Sequence, residues 1–259
     1  MKSRWWAASL AVIVTACAHA PLLGSTTQAL PFDESHADVM SAGRTLSVDV
    51  YAPTGRGRHP AAILLHGSGG IHTPIGSVVT RYAEALAAQG VAAFVVHYFD
   101  GTGTFASDDS IETANYFVWV RDVRAAITWA AARPDVRANS IGIVGHSLGA
   151  FLAVGVAAAD SRVNGIVLFG AALEPFVRDS IRRMPPSLMY HGEDDDVVPR
   201  EQADTLAAFL RARRFAVEYH VIAGEAHEFS DSAATVALER AARFLSSPRV
   251  RAPGGGASR

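Results

Sequence analysis

Residues 141–150 read IGIVGHSLGA, a short apolar run that leads into a G-x-S-x-G sequence and then into a second apolar run. The first run is rich in β-branched residues and predicts a strand, whereas the second predicts a buried helix. A serine at the tip of a tight strand-to-helix turn approaches the neighbouring backbone closely, and glycines at 145 and 149 leave room for that approach. The pattern predicts Ser147 as a nucleophile, with a plain turn as the alternative.

Strands and helices alternate on both sides of this turn. Apolar runs that predict buried strands lie at 61–65, 91–96, 163–170, 188–192 and 217–222. Apolar residues at helical spacing predict helices at 78–89, 111–132, 200–213 and 232–245. This alternation predicts the α/β class, with a mostly parallel central sheet flanked by helices on both faces.

Two patterns make finer predictions about this sheet. Residues 44–51 alternate polar and apolar side chains, which is typical of a half-exposed antiparallel strand at a sheet edge. The predicted helix 111–132 carries large apolar or small residues on one side, namely Phe117, Val120, Val123, Ile127 and Ala131. We expect that side to face the core.

Composition and charge exclude several classes of protein. The chain has 259 residues, 49% of them hydrophobic, and a net charge of −2, which suits one large globular domain. It lacks the basic excess of a nucleic-acid-binding protein. Cys17 is the only cysteine, so an internal disulfide and a thiolate metal cluster are excluded.

The N-terminus has the organisation of a secretory signal. A short basic segment precedes an apolar stretch of about a dozen residues, too short to span a bilayer as a helix. The sequence VTAC at 14–17 resembles the bacterial lipobox, which predicts a signal peptide at 1–16 and a lipidated Cys17 facing the periplasm or cell surface. Ordinary cleavage after Ala20 is the alternative, although it would leave Pro21 at the first mature position.

The rest of the chain divides into three parts. Residues 17–41 are interpreted as a lipidated N-terminus and tether, because the segment from residue 22 to about 35 is rich in Pro, Ser, Thr and Gly. Residues 42–245 form one predicted catalytic domain, and 246–259, with a Gly-Gly-Gly run, a disordered tail. Membrane contact is then expected only through acyl chains on Cys17.

Two later turns supply candidate partners for the serine, whose hydroxyl needs a histidine base oriented by a carboxylate. The elbow resembles that of α/β-hydrolases, in which the acid and then the histidine follow the serine along the chain. HGEDDDVVP at 191–199 resembles the acid loop G-x-x-D-x-x-V-P of that superfamily, which selects Asp195, with Asp194 as the substitute. GEAHEF at 224–229 lies between the last strand and the last helix, where the superfamily places its histidine, and selects His227.

An oxyanion hole needs two N–H donors. One should be the backbone N–H of Leu148, the residue after the nucleophile, and the other should come from a loop after an earlier strand. HGSGG at 66–70 is placed for this role and selects Ser68, with the adjacent glycines as alternatives. His66 and His146 lie beside these groups and are interpreted as positioning residues.

The chain from 42 to 245 resembles the dienelactone hydrolase family of the α/β-hydrolase superfamily. The shared features are Ser147, Asp195 and His227 in this order, LLHGSGG at 64–70 and YFDGTGT at 98–104. The resemblance implies the α/β-hydrolase fold and hydrolysis without a metal or organic cofactor. The family's namesake carries cysteine in a G-x-C-x-G-G elbow, whereas this chain has serine and Ala150, which favours a serine esterase.

These observations predict a hydrolase of small or short-acyl esters that uses a Ser-His-Asp triad and an acyl-enzyme. Three alternatives remain open: a serine peptidase or amidase of related fold, a lactone hydrolase, and a non-catalytic surface-anchored binding protein. Peptidases of this fold usually carry an extra domain that selects peptides, and none is visible here. The intact triad weighs against the binding protein.

Overall fold

The computed structural model describes residues 29–73 and 76–247. Its strands are β1 (Phe32–Ser41), β2 (Arg44–Pro53), β3 (His59–Leu65), β4 (Ala92–Val96), β5 (Val136–His146), β6 (Val163–Phe169), β7 (Ser187–Gly192) and β8 (Val217–Ile222). Its helices are α1 (Ser77–Ala88), α2 (Asp109–Ala132), α3 (Leu148–Ala159), α4 (Pro175–Arg178), α5 (Arg200–Ala212) and α6 (Asp231–Ser246). The predicted α/β alternation is confirmed, and the four-residue α4 is the one described helix that periodicity did not predict.

The eight strands form one sheet in the order β1-β2-β4-β3-β5-β6-β7-β8. β1 and β2 pair antiparallel, as do β2 and β4, whereas the remaining neighbours are parallel. The fold is that of the α/β-hydrolases, as the sequence predicts. Because parallel strands share one direction, the turns that follow β5, β7 and β8 meet at one edge of the sheet. Ser147, Asp195 and His227 lie in those turns.

Two apolar cores cover the two faces of the sheet. On one face, α2, α3 and α5 pack over alternate strand residues such as Ile63 and Phe94. On the other, α1 and α6 pack over the intervening residues such as Leu64 and Val95. Strand residues buried on both faces explain why the central strands read as continuous apolar runs.

The folded domain begins earlier than predicted, since residues 32–41, assigned from the sequence to the tether, form β1. This strand pairs with β2 along its whole length. Ala42 and Gly43 connect the two with φ values of 48° and 81°, a two-residue turn whose twist matches that of a hairpin. β1 was missed because most of its side chains are exposed and no apolar run marks it. The strand predicted at 44–51, which is β2, is therefore the second strand of the sheet and not the predicted edge strand.

Helix α2 buries a slightly different side from the one predicted. Phe117 is 65% exposed, whereas Tyr116 and Trp119 are fully buried. At about 100° per residue, a helix that turns Tyr116 inward turns its neighbour away from the core. The Phe117 ring instead lies 6.0 Å from the ring of Phe176 on α4. Spacing alone placed the apolar stripe correctly from residue 120 onward but not at its first turn.

The ends of the chain lie partly beyond the described residues. The predicted signal peptide, Cys17 and most of the tether fall there, as does the predicted tail from residue 248. Within the described part, no helix combines the length and the apolar composition needed to cross a bilayer.

Candidate active site

Ser147 occupies a strained strand-to-helix turn. β5 ends at His146, α3 begins at Leu148, and Ser147 between them has φ 55° and ψ −125°. Positive φ is unfavourable for a residue with a side chain and marks sites where the surrounding structure enforces it. A Cβ on Gly145 would lie 2.4 Å from the carbonyl oxygen of Gly149, and one on Gly149 would lie 2.1 Å from that of Leu65. The glycines at these two positions are therefore required by the close backbone approach.

The elbow is hydrogen-bonded to the sheet, and one of its backbone N–H donors has no acceptor within α3. The N–H of Ser147 donates to the carbonyl oxygen of Phe169 at the end of β6, at 2.9 Å. Leu148 is the first residue of α3, so its N–H has no acceptor within the helix. The donor predicted for the oxyanion hole thus lies at a helix N-terminus, where developing negative charge is favoured.

Asp195 is the best-supported carboxylate of the acid turn, residues 191–198. Its Oδ1 accepts the N–H groups of Val197 and Val198 at 3.0 and 2.8 Å, and its Oδ2 lies 2.8 Å from Nδ1 of His227. Burial raises the pKa of Asp195, but the bonds from His227 and from the two N–H groups outweigh it, so the pKa lies below its usual value. Asp194, the alternative, is exposed, and its N–H donates to Glu225.

His227 lies in the histidine turn, residues 224–230, between β8 and α6. Because a carboxylate only accepts, Nδ1 of His227 carries the proton that binds Asp195, which leaves Nε2 available as a base. The carboxylate of Glu225 accepts the N–H and hydroxyl of Ser230 at 2.6 and 2.7 Å and closes this turn. A Cβ on Gly170, where φ is 60°, would lie 2.9 Å from Cε1 of His227, so a glycine makes room for the ring.

His146 connects the elbow to the histidine turn. Its Nε2 lies 3.3 Å from the carbonyl oxygen of His227, and the two rings are 4.9 Å apart. Burial lowers the pKa of His146 to about 4, so the ring is neutral near pH 7 and donates through Nε2 without adding charge beside His227. This contact supports the positioning role predicted for His146.

The oxyanion loop, residues 66–70, approaches the elbow from β3. A Cβ on Gly67 would lie 3.3 Å from Cβ of Ser147. Ser68 has an exposed side chain, and its carbonyl oxygen accepts the N–H of Ser107 at 2.8 Å. His66 is buried beneath the loop, stacked on Tyr98 at 4.2 Å, and burial lowers its pKa to about 4. The structure therefore brings the loop predicted to supply the second N–H donor against the elbow.

His191 was missed by sequence reasoning as a residue of the site. It is fully buried at the end of β7, with Nε2 2.9 Å from the carbonyl oxygen of Val198 and 3.4 Å from Oδ2 of Asp195. A histidine that directly precedes the acid-loop glycine was the available signal, but it lies inside the predicted strand 188–192, where the sequence does not show what its ring contacts.

A cavity of about 440 Å³ adjoins the acid turn and the elbow helix. Apolar groups of Phe151, Val197 and Val198 line it together with the carboxylates of Glu112 and Glu174. Burial, and then the charge of Glu174, raise the pKa of Glu112 to about 7. In the described part of the chain, no group of three or more His, Cys, Asp or Glu side chains could hold a metal ion.

Comparison with protein families and solved structures gives a consistent result. The model of the dienelactone hydrolase family matches residues 46–247. A dienelactone hydrolase-like promiscuous phosphotriesterase from metagenomic libraries superposes with a TM-score of 0.71 at 15% identity, over 83% of this chain and 98% of that one. A putative dienelactone hydrolase from Klebsiella pneumoniae gives 0.69 at 16% identity, over 84% and 99%.

A structure from a study of two fungal esterases from Rhizomucor miehei is also similar. It gives a TM-score of 0.65 at 17% identity and covers 84% of each chain. At these identities the structures establish the shared fold, whereas the family assignment depends on the match over 46–247. No curated protein matches the sequence significantly.

Proposed function

We propose that this chain, which belongs to the dienelactone hydrolase family, is a serine hydrolase that cleaves carboxylic esters of small or short-acyl type. The observation that carries the proposal is the 2.8 Å bond between Asp195 and His227 beside the strained turn of Ser147. A buried carboxylate that fixes the proton on Nδ1 leaves Nε2 of His227 as the base that a serine nucleophile requires.

The reaction proceeds by acyl transfer. Nε2 of His227 takes the hydroxyl proton as Oγ of Ser147 attacks the ester carbonyl carbon, and the carbonyl oxygen becomes an oxyanion held by the N–H groups of Leu148 and Ser68. The imidazolium, stabilised by Asp195, then protonates the departing alcohol oxygen, and the ester C–O bond breaks to give the acyl-enzyme. Water attacks the acyl carbon and gives a proton to Nε2 of His227; the bond from that carbon to Oγ of Ser147 then breaks, the imidazolium returns the proton to Oγ, and the acid is released.

Serine in place of the cysteine of the family's namesake makes the proposed reaction depend on the histidine base. A serine hydroxyl is a weaker nucleophile than a thiol at neutral pH and depends more strongly on an adjacent base. The site meets this requirement through three contacts to the base: Asp195 binds Nδ1 of His227, His146 binds its carbonyl oxygen, and Gly170 leaves space for its ring.

Hydrolysis of a p-nitrophenyl ester series from acetate to palmitate tests the proposal. We expect purified full-length protein in detergent to turn over the short esters, to lose activity as the acyl chain lengthens, and to lose all turnover in Ser147→Ala. Turnover of dipeptide amides without ester turnover would favour a peptidase or amidase. A folded protein that is silent on both substrates would favour a lactone hydrolase or the binding protein.

We further propose that the enzyme is exported and anchored by acyl chains on Cys17, which leaves the catalytic domain facing the periplasm or cell surface. The support is the VTAC sequence after an apolar segment of signal-peptide length. Labelled palmitate should be incorporated into the wild-type protein in a bacterial host and not into Cys17→Ala. Equal labelling of both proteins would exclude Cys17 as the anchor.

A further inference from the structure

His191 makes contacts that packing does not require. It is fully buried in β7 and takes no part in the proposed chemistry. Its Nε2 lies 2.9 Å from the carbonyl oxygen of Val198 and 3.4 Å from Oδ2 of Asp195. Both of these atoms accept hydrogen bonds, so Nε2 carries a proton and is directed at the acid turn.

The other ring nitrogen argues against a purely structural role. Nδ1 of His191 is buried and has no hydrogen-bond partner among the described residues. A buried polar atom without a partner lowers stability, and an apolar side chain of similar size would fill the same space without that cost. A buried group left unsatisfied in a native structure calls for an explanation, and a role in the nearby site is one.

The contacts of His191 complete the support of the carboxylate. Oδ1 of Asp195 accepts two backbone N–H groups, and Oδ2 accepts the Nδ1 proton of His227. Nε2 of His191 donates to the carbonyl oxygen of Val198, which ties the start of the acid turn to its end, and the same nitrogen lies 3.4 Å from Oδ2 of Asp195. Opening of the acid turn would break the bond from His191 to Val198 together with the two N–H bonds that hold Oδ1 of Asp195.

We propose that His191 is a positioning residue that holds Asp195 in the orientation in which Oδ2 binds His227. This inference rests on the proposed function, because it assigns His191 to the same catalytic machinery. A misdirected carboxylate leaves the His227 ring free to turn away from Ser147, and displacement of about 1 Å in such a constellation costs about 10²-fold in rate. Because His191 is buried behind Asp195 and its nearest polar contacts are within the acid turn, substrate binding should be unaffected.

A matched pair of variants tests this role. Glutamine and methionine have similar size and shape, and only glutamine can place an N–H near the position of Nε2. We expect His191→Met to lower kcat on a p-nitrophenyl ester about 10- to 100-fold with KM within about twofold of wild type. His191→Gln should recover most of kcat. If His191→Met does not fold, His191→Asn replaces it, since its shorter side chain does not reach Asp195.

A spectroscopic readout keeps this test independent of turnover. The Hδ1 proton of His227 should give a low-field NMR signal that disappears in Asp195→Asn and shifts or broadens in His191→Met. Wild-type kcat together with an unchanged signal in His191→Met would overturn the inference. If wild-type protein hydrolyses no ester, the proposed function fails, and the NMR comparison alone decides whether His191 orients the pair.

Discussion

Two aspartate–histidine pairs lie in this sheet with the same hydrogen-bond length and very different surroundings. In one, Oδ2 of Asp195 lies 2.8 Å from Nδ1 of His227. In the other, Oδ2 of Asp49 on β2 lies 2.8 Å from Nε2 of His97, which directly follows β4. In both pairs the pKa of the carboxylate lies below its usual value. The bond alone therefore does not distinguish a catalytic pair from a structural one.

The surroundings do distinguish them. The side chain of Asp195 is 1% exposed and that of Asp49 is 32% exposed. The second oxygen of Asp195 accepts two backbone N–H groups, whereas that of Asp49 accepts from the exposed ring of His36. His227 lies beside the elbow of Ser147, whereas His97 has the rings of His36 and His72 as neighbours. The strained turn of Ser147 and the rigidly held carboxylate of Asp195 are the two features that the proposed catalysis requires and that the second pair lacks.

The largest expected effect comes from removing the hydroxyl of Ser147, the proposed nucleophile, which lies beside only the first pair. Ser147→Ala should lower kcat on a p-nitrophenyl ester by at least about 10⁴-fold, as loss of a triad nucleophile does. Alanine has the same backbone preference at φ 55° as serine, so the thermal midpoint should stay within a few degrees. Residual activity above a tenth of wild type would exclude Ser147 as the nucleophile.

The two carboxylates can be compared directly. Asp195→Asn should lower kcat about 10³- to 10⁴-fold, because the amide no longer fixes the proton on Nδ1 of His227. Asp49→Asn should leave kcat within about threefold of wild type, since its pair has no nucleophile beside it. Steady-state kinetics of both variants on one ester provide the measurement. Equal losses in the two would mean that the His97 pair also serves the reaction.

The space around His227 offers a further comparison. Gly170→Ala places a methyl group 2.9 Å from Cε1 of that ring at a position with φ 60°, whereas Gly43, with φ 81°, has nothing within 4 Å of the same methyl group. Both alanine variants should lose about 1–2 kcal/mol of unfolding free energy from backbone strain. Only Gly170→Ala should also lose activity, about 10- to 100-fold. Similar kinetics in the two variants would show that the ring tolerates the methyl group.

The smallest expected effect concerns stability at the second pair. The hydrogen bond from His97, opposed by burial, holds the pKa of Asp49 below its usual value, so the folded state binds the proton less tightly than the unfolded state. The contribution of ionised Asp49 to the free energy of unfolding is complete above the unfolded pKa of about 4 and is lost as the pH falls through the pKa of the folded state. Asp49→Asn should therefore be less stable by about 0.5–1 kcal/mol at pH 7.

Urea denaturation of wild type and Asp49→Asn at pH 7 and near pH 3 measures this difference. We expect the gap in unfolding free energy to shrink at the lower pH, because pH 3 lies below the unfolded pKa of about 4 and the unfolded state then binds the proton more readily than the folded state. A gap of constant size would mean that the ionised form of Asp49 contributes no stability.

Sequence reasoning was most successful where the constraint was local or continuous. The elbow was predictable because its serine and two glycines form a motif of five consecutive residues, and the central strands because burial on both faces produces uninterrupted apolar runs. It failed at β1, whose exposed side chains form no apolar pattern. It failed also at Phe117, which lies one position away from the buried side of α2 and is therefore exposed. His191 was overlooked because a buried histidine in a strand has the same sequence signature whatever its side chain contacts.

The sequence by itself determined that a strand runs into a tight serine turn, that strands and helices alternate around it, and that acid and histidine turns follow in order. Only the tertiary structure decided that Asp195, and not Asp194, meets His227, and that His146 lies against His227 and His191 against the acid turn. Backbone sterics and side-chain periodicity act over a few neighbouring residues and can be read along the chain. Hydrogen bonds between distant turns exist only once the strand order brings the ends of β5, β7 and β8 to one edge of the sheet.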